Sequence, residues 1–290
     1  MSPTSRVPPA WLPGSSRVAW SVWPTGECGR VEQLRHRGYV PETADDWRGI
    51  SPAIAAYAIS RYSRPGALVV DPECGAGTVL VEALHAGRHA VGVTASSRWW
   101  RVARANVSVA KRAGAWSDGT VVDPGVDSAG MVRQAGLTRR TDLILTTVRL
   151  PSLLGSSRLE PDLVGMARAW TSMLRPGGYA VVVLRPHRLQ DGTFVDVAAA
   201  LSAAAEGNGL VVTDRCVALT AKLRRDRVVP RASIVERETA DRMRAAGIPI
   251  ALVAHRTVLV MRALDLSEMA AAQGVACPEA RPSWDECAYG

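Results

Sequence analysis

Eight consecutive residues carry the clearest chemistry in this chain: Asp71-Pro72-Glu73-Cys74-Gly75-Ala76-Gly77-Thr78. Asp71 follows an apolar run and offers an acceptor at its tip. A carboxylate there suits a ligand with an amino group or hydroxyls better than a bare phosphate. Gly75 and Gly77 remove Cβ atoms, so a ligand can approach the backbone closely. A helix starting at this turn points its free N–H groups at that ligand. The spacing argues against two phosphate-binding alternatives. Leu80 stands where a dinucleotide fingerprint has its third glycine, and no Lys-Ser/Thr follows as in a P-loop.

The elements that must position this turn are legible on either side of it. Residues 67–70 form a short apolar, β-branched run, long enough for a buried strand. After the turn, Val79, Leu80, Ala83 and Leu84 recur at helical spacing, and Gly87 ends that helix. A second apolar run covers residues 90–93. Strand, glycine turn, helix and strand make one βαβ unit with a right-handed crossover. Its loop lies at the carboxyl end of the first strand, where open α/β sheets bind ligands.

The eight residues resemble the Asp-Pro-x-Cys/Ala-Gly-x-Gly-Thr signature of class I S-adenosylmethionine-dependent methyltransferases. Within that family they are most similar to the amino-methyltransferases of DNA and RNA, including the bacterial Trm11-like branch. The match extends upstream to residues 50–54 and downstream to Leu174-Arg175-Pro176-Gly177-Gly178, and it covers residues 35–262. The resemblance implies a Rossmann-like α/β fold: a mostly parallel seven-stranded sheet, helices on both faces and an antiparallel edge hairpin. It implies S-adenosylmethionine as cofactor, with Asp71, Pro72, Glu73, Cys74, Gly75 and Gly77 around its methionine end. The family has an acidic residue on the ribose after the second strand, where this chain has Thr94. Asp123, or next Asp127, is the counterpart of the residue that meets the adenine amino group.

The largest departure from the family follows the fourth strand, residues 142–145. Active relatives there read Asp/Asn/Ser-Pro-Pro-aromatic, whose first side chain and proline carbonyl accept protons from the target amine. This chain reads Thr147-Val148-Arg149-Leu150. Thr147 is the remaining catalytic candidate and offers one hydroxyl. Arg149 places a positive charge where an amine must become nucleophilic. Thr94 is the second departure, because a hydroxyl accepts one bond where a carboxylate accepts two, a loss of about 1–3 kcal/mol in cofactor binding.

Three readings therefore stand. The first is an S-adenosylmethionine-dependent N-methyltransferase acting on an exocyclic amine of DNA or RNA. The second is a catalytically inactive methyltransferase fold kept as a binding or regulatory module. The third is methylation of a small molecule.

Composition bounds these readings. The chain has 290 residues, 47% hydrophobic, enough for one elaborated α/β domain. Its net charge of +8 suits a polyanionic partner such as nucleic acid. The one aromatic cluster beside a basic run is Trp99-Trp100, and Arg98, Arg101 and Arg104 share a solvated helix face. A single phenylalanine argues against a broad base-stacking platform. The five cysteines are scattered, so neither a disulfide framework nor a metal site is expected. No apolar run reaches the roughly 18 residues of a membrane span, so a cytoplasmic protein is expected. The expected organisation is a flexible arm over 1–34, a methyltransferase-like domain over 35–264 and a tail over 265–290. Trp11, Trp20 and Trp23 in the arm are expected to dock on the domain or else to contact a partner. Further expected elements are a helix capped at Ser51-Pro52, helices over 98–113, 166–174 and 195–206, and strands over 120–122, 179–184, 210–213 and 257–261. Residues 175–178 are read as a turn and 222–227 as a charged hairpin tip or loop.

Overall fold

The computed structural model describes residues 20–122, 136–148, 159–189, 193–225, 227–248, 250–265 and 267–268. Its strands are β1 (Val22–Trp23), β2 (Leu68–Asp71), β3 (His89–Val93), β4 (Gly119–Val122), β5 (Thr141–Thr147), β6 (Leu174–Leu184), β7 (His187–Arg188), β8 (Phe194–Val195), β9 (Leu210–Leu219), β10 (Lys222–Arg224), β11 (Arg227–Val229) and β12 (His255–Ala263). Its helices are α1 (Arg30–His36), α2 (Pro52–Tyr62), α3 (Thr78–His85), α4 (Ser97–Arg112), α5 (Leu159–Met173), α6 (Val197–Glu206) and α7 (Ile234–Ala245), with a 3-10 turn at Pro41–Asp45.

The main sheet runs β1-β9-β12-β6-β5-β2-β3-β4. Strands β2 to β6 pair in parallel, and β12 runs antiparallel between β6 and β9. Alternate residues of the central strands feed two separate cores. Leu143, Leu145, Val181 and Val183 pack with α2, α3 and α4. Ile144, Val182, Leu259 and Met261 pack with α5 and α6. This is the period-two pattern of strands covered on both faces, and each fully buried aliphatic side chain contributes about 1.5–3 kcal/mol. The expected α/β architecture is present, with helices on both faces and an antiparallel β9–β12 pair.

The structure differs from expectation near the N-terminal end of the described residues. The sheet has an eighth strand, because β1 pairs in parallel with β9 through Val22↔Val217 and Trp23↔Ala218. Trp23 is fully buried and stacks on Tyr57 at 4.8 Å. From Trp20 onward the expected arm is thus laid onto the sheet, and the expected boundary after residue 34 falls inside α1. Two strand residues are too few to leave a periodic signal. Trp20 itself is exposed, and Trp11 lies outside the described residues.

Two local expectations also change. Residues 175–178 are a bulge within β6 rather than a separate turn, since Thr141 pairs with Leu174 and Leu143 with Tyr179. A Cβ at Gly178 would meet the Arg175 and Thr141 carbonyls at 3.0 Å, which explains glycine there. Helix α5 starts well before residue 166, with Pro161 in its first turn, where the missing N–H costs no hydrogen bond. Helix α7 was not expected from the sequence. It begins with a capping box between Ser233 and Glu236 and buries none of its residues, leaving Ile234 and Val235 exposed. The charged segment at 222–227 does form a hairpin, β10 against β11.

Candidate functional site

β2 delivers Asp71 to the site as a buried side chain. Its Oδ1 accepts the Glu73 N–H at 3.0 Å and the Thr146 hydroxyl at 2.8 Å. The carboxylate is therefore oriented both from its own turn and from β5. Gly75 and Gly77 take positive φ values of 49° and 81°, and Gly77 caps α3. A Cβ on Gly77 would meet the Ala103 Cβ at 3.0 Å. The second glycine is thus required by the close packing of α4 on the turn, where the sequence suggested room for a ligand.

The N–H groups of the turn are also largely committed. Cys74 N–H donates to the Val93 carbonyl at 2.8 Å and Gly77 N–H to the Cys74 carbonyl at 2.7 Å. Ala76 N–H donates to the buried carboxylate of Asp46 at 2.9 Å. A protein carboxylate therefore takes the N–H one residue before the cap of α3, close to where the sequence placed a ligand. Asn106 on α4 locks the same region: its Nδ2 donates to the Ala76 carbonyl at 2.9 Å and the Thr43 hydroxyl at 2.8 Å. Its Oδ1 accepts the Val40 N–H at 2.9 Å.

The β2–β3 register sets Asp71 beside Gly92, two residues before Thr94. A Cβ on Gly92 would lie 2.7 Å from Leu80 and 2.9 Å from Cys74, so glycine lets the turn and α3 sit on β3. Thr94 is buried, and its Oγ1 accepts the Ser96 N–H at 3.3 Å. Pro72 is half-buried, and Glu73 is exposed at the outer side of the turn. The structure thus gathers Asp71 to Gly77 and Thr94 at the carboxyl ends of β2 and β3. Asp123, Asp127, Arg149 and Leu150 lie outside the described residues.

Thr147 ends β5, buried and paired in register with Val183 of β6. Both line a cavity of about 200 Å³ that also touches Ser51, Arg48, Arg185 and Arg256. Ser51 precedes α2 as expected, but its side chain makes no capping hydrogen bond. Burial pushes Arg256 down to about 10, helped by the nearby Arg185 and opposed by Glu236. Burial also lowers Arg185, where Glu236 works against the shift and Arg48 adds to it. Trp47 stands exposed at the rim, with the guanidiniums of Arg185 and Arg48 at 4.8 and 4.9 Å from its ring centre.

A second polar cluster lies behind α3. Glu82 is buried and accepts from Arg37 at 2.6 Å and from the Tyr39 hydroxyl at 2.8 Å. Burial raises Glu82 to about 7 against the pull of Arg37 and Tyr39. Sequence reasoning missed Asp46, Asn106, Thr146, Arg185 and Arg256. Their partners are distant in sequence and none stands in a repeating pattern. Among the described residues, no cluster of His, Cys, Asp or Glu could hold a metal ion, and no helix is long and apolar enough to cross a membrane.

No family model matches the chain, and no curated protein does. Solved structures do. TrmN from Thermus thermophilus is 17% identical, with 77% of this chain covered, 52% of that one, and a TM-score of 0.50. The chain thus spans about half the length of that protein. A TehB-like SAM-dependent methyltransferase from Corynebacterium glutamicum is 18% identical over 79% of this chain and 98% of that one, with a TM-score of 0.43. TYW2 from Pyrococcus horikoshii, solved with MeSAdo, is 12% identical over 73% of this chain and 62% of that one, with a TM-score of 0.43. The likeness to TrmN shows the fold: this chain has the Rossmann-like class I methyltransferase architecture.

Proposed function

We propose that the protein is an S-adenosylmethionine-dependent N-methyltransferase whose substrate is an exocyclic amine of DNA or RNA. The observation that carries this reading is the assembly of Asp71, the glycine turn and Thr94 at the carboxyl ends of β2 and β3 in that fold. Those residues fit the cofactor's polar groups. The Asp71 carboxylate suits an ammonium and the Thr94 hydroxyl a ribose. The carboxylate of Asp46 on Ala76 argues against a ligand anion at the same N–H. The bound cofactor supplies an activated methyl group and its leaving group. The share of the chain is then orientation and exclusion of water. Thr147, at the end of the neighbouring strand and lining the adjacent cavity, is the side chain we assign to accept a hydrogen bond from the amine. The net charge of +8 supports a nucleic-acid substrate.

A second reading is a non-catalytic binding module. It is favoured by the arginines beside Thr147, because positive charge there opposes the charge that the amine must develop. Calorimetric titration with S-adenosylmethionine and S-adenosylhomocysteine tests the shared premise of a cofactor site. Micromolar binding followed by transfer of labelled methyl to DNA, tRNA or rRNA of the host supports the enzyme. Binding without transfer to any of these supports the module and sinks the enzyme.

A further inference from the structure

The cavity beside Thr147 has an unusual charge balance. Five arginines and one glutamate line it, and the arginines come from separate parts of the chain: Arg30 of α1, Arg48 before α2, Arg185 after β6, Arg231 before α7 and Arg256 of β12. Guanidiniums held this close repel one another unless an anion joins them. Glu236 offsets part of that repulsion at Arg185 and Arg256, but as one carboxylate among the lining arginines it leaves the cavity with excess positive charge. Among the described residues no carboxylate forms an ion pair with Arg48, Arg185, Arg231 or Arg256. The lining glutamate, Glu236, acts on Arg185 and Arg256 through space, while its Oε2 accepts the Ser233 N–H at 2.7 Å and the Ser233 hydroxyl at 2.8 Å.

The arginines are held by neutral acceptors. Arg185 donates to the Trp47 carbonyl at 2.7 Å, Arg231 to the Glu27 carbonyl at 2.7 Å and Arg256 to the His255 carbonyl at 3.3 Å. Such bonds fix each guanidinium while using only part of its five N–H donors. Burial destabilises the positive charge of both Arg185 and Arg256, a cost that a bound anion would offset.

We propose that this cavity is a phosphate site, and that its ligand is a nucleotide phosphate, free or within a strand. A single guanidinium fork satisfies a carboxylate. Several guanidiniums approaching from different elements match the tetrahedral, multiply charged phosphate group better. The exposed Trp47 ring at the rim, already in contact with Arg185 and Arg48, supplies the second half of the recognition, an aromatic surface against which the attached base packs as the phosphate draws those guanidiniums inward. The site does not depend on methyl transfer, because its phosphate contacts need neither cofactor nor Asp71.

The test is calorimetric titration of the full chain at low salt, without cofactor, using inorganic phosphate, adenosine monophosphate and a short single-stranded RNA. Saturable phosphate binding is expected, weakened about tenfold or more by either Arg185→Gln or Arg256→Gln. Arg112→Gln, the same charge change at the exposed end of α4, should leave affinity within about twofold. Tighter binding of adenosine monophosphate with no further gain from RNA identifies a mononucleotide. Tighter binding of RNA, with a salt dependence reduced by about one counterion per arginine removed, identifies a strand. The ligand-free Arg256→Gln protein should unfold at the same or higher denaturant than the parent, since a repulsive charge is gone. Absence of saturable phosphate binding up to about 50 mM overturns the proposal. So does equal weakening by Arg112→Gln, or a destabilised Arg256→Gln together with unchanged phosphate affinity in Arg185→Gln.

Discussion

The Asp46 carboxylate and the Ala76 N–H form a buried 2.9 Å hydrogen bond that ties the segment before α2 to the glycine turn. The bond fixes the turn just before the cap of α3 from 30 residues upstream, while α3 itself has no side-chain cap. Asp46→Ala leaves a buried N–H unpaired and should cost about 1–3 kcal/mol in urea unfolding. Asp46→Asn keeps an acceptor and should recover most of that loss. Equal destabilisation by the two variants would show that the bond is not the source of the effect.

Asn106 makes three hydrogen bonds, a partly buried one to Val40 and buried ones to Thr43 and Ala76. Asn106→Leu removes all of them and leaves a backbone N–H and a carbonyl without partners. A loss of about 2–4 kcal/mol is expected, with weaker binding of S-adenosylmethionine as the turn loosens. A variant as stable as the parent would refute the role of Asn106 as the clamp between α4 and the turn.

Thr94→Asp should strengthen S-adenosylmethionine binding about 5- to 100-fold, because a carboxylate can accept both ribose hydroxyls. It can still accept the Ser96 N–H that Thr94 takes now. Unchanged affinity in calorimetry would mean that Thr94 does not face a ribose, and the cofactor assignment at β3 would fail.

Glu82 predicts a pH effect on folding. Its carboxyl is raised in the folded state to about 7 by burial. A raised carboxyl contributes stability below its unfolded value of 4.5, and that contribution is lost as pH climbs through about 7. Relative to Glu82→Gln, the parent should therefore lose on the order of 1–3 kcal/mol between pH 4.5 and 8. Parallel stability curves for the two proteins across that range would place the titration elsewhere.

The β2–turn–α3–β3 unit was readable because its information is local. Residues 67–70, Val79, Leu80 and Gly87 carry strand, helix and stop signals within one short window. Asp71, Gly75 and Gly77 were found by that route and Thr94 through the family resemblance, and the structure puts them at one edge. Gly77 shows the limit of such reading: its missing Cβ makes room for Ala103 of α4, a contact that no local window contains. Asp46 and Asn106 act through partners far away in the chain. The arginines at 48, 185 and 256 gather only after the sheet has brought β6 next to β12. Helix α7 escaped notice because it buries nothing, and β1 because it is two residues long.

That short strand has a consequence for the order of assembly. Val22 pairs with Val217, so its strand partner emerges from the ribosome only after almost all of the domain has been synthesised. Trp23 can find Tyr57 early, but its seat beside β9 does not exist until then. The first described segment is therefore among the last to be fastened. A nascent chain stalled before residue 210 should hold Trp23 in a wetter, more mobile setting, and the fluorescence of that indole becomes a clock for the final step of folding.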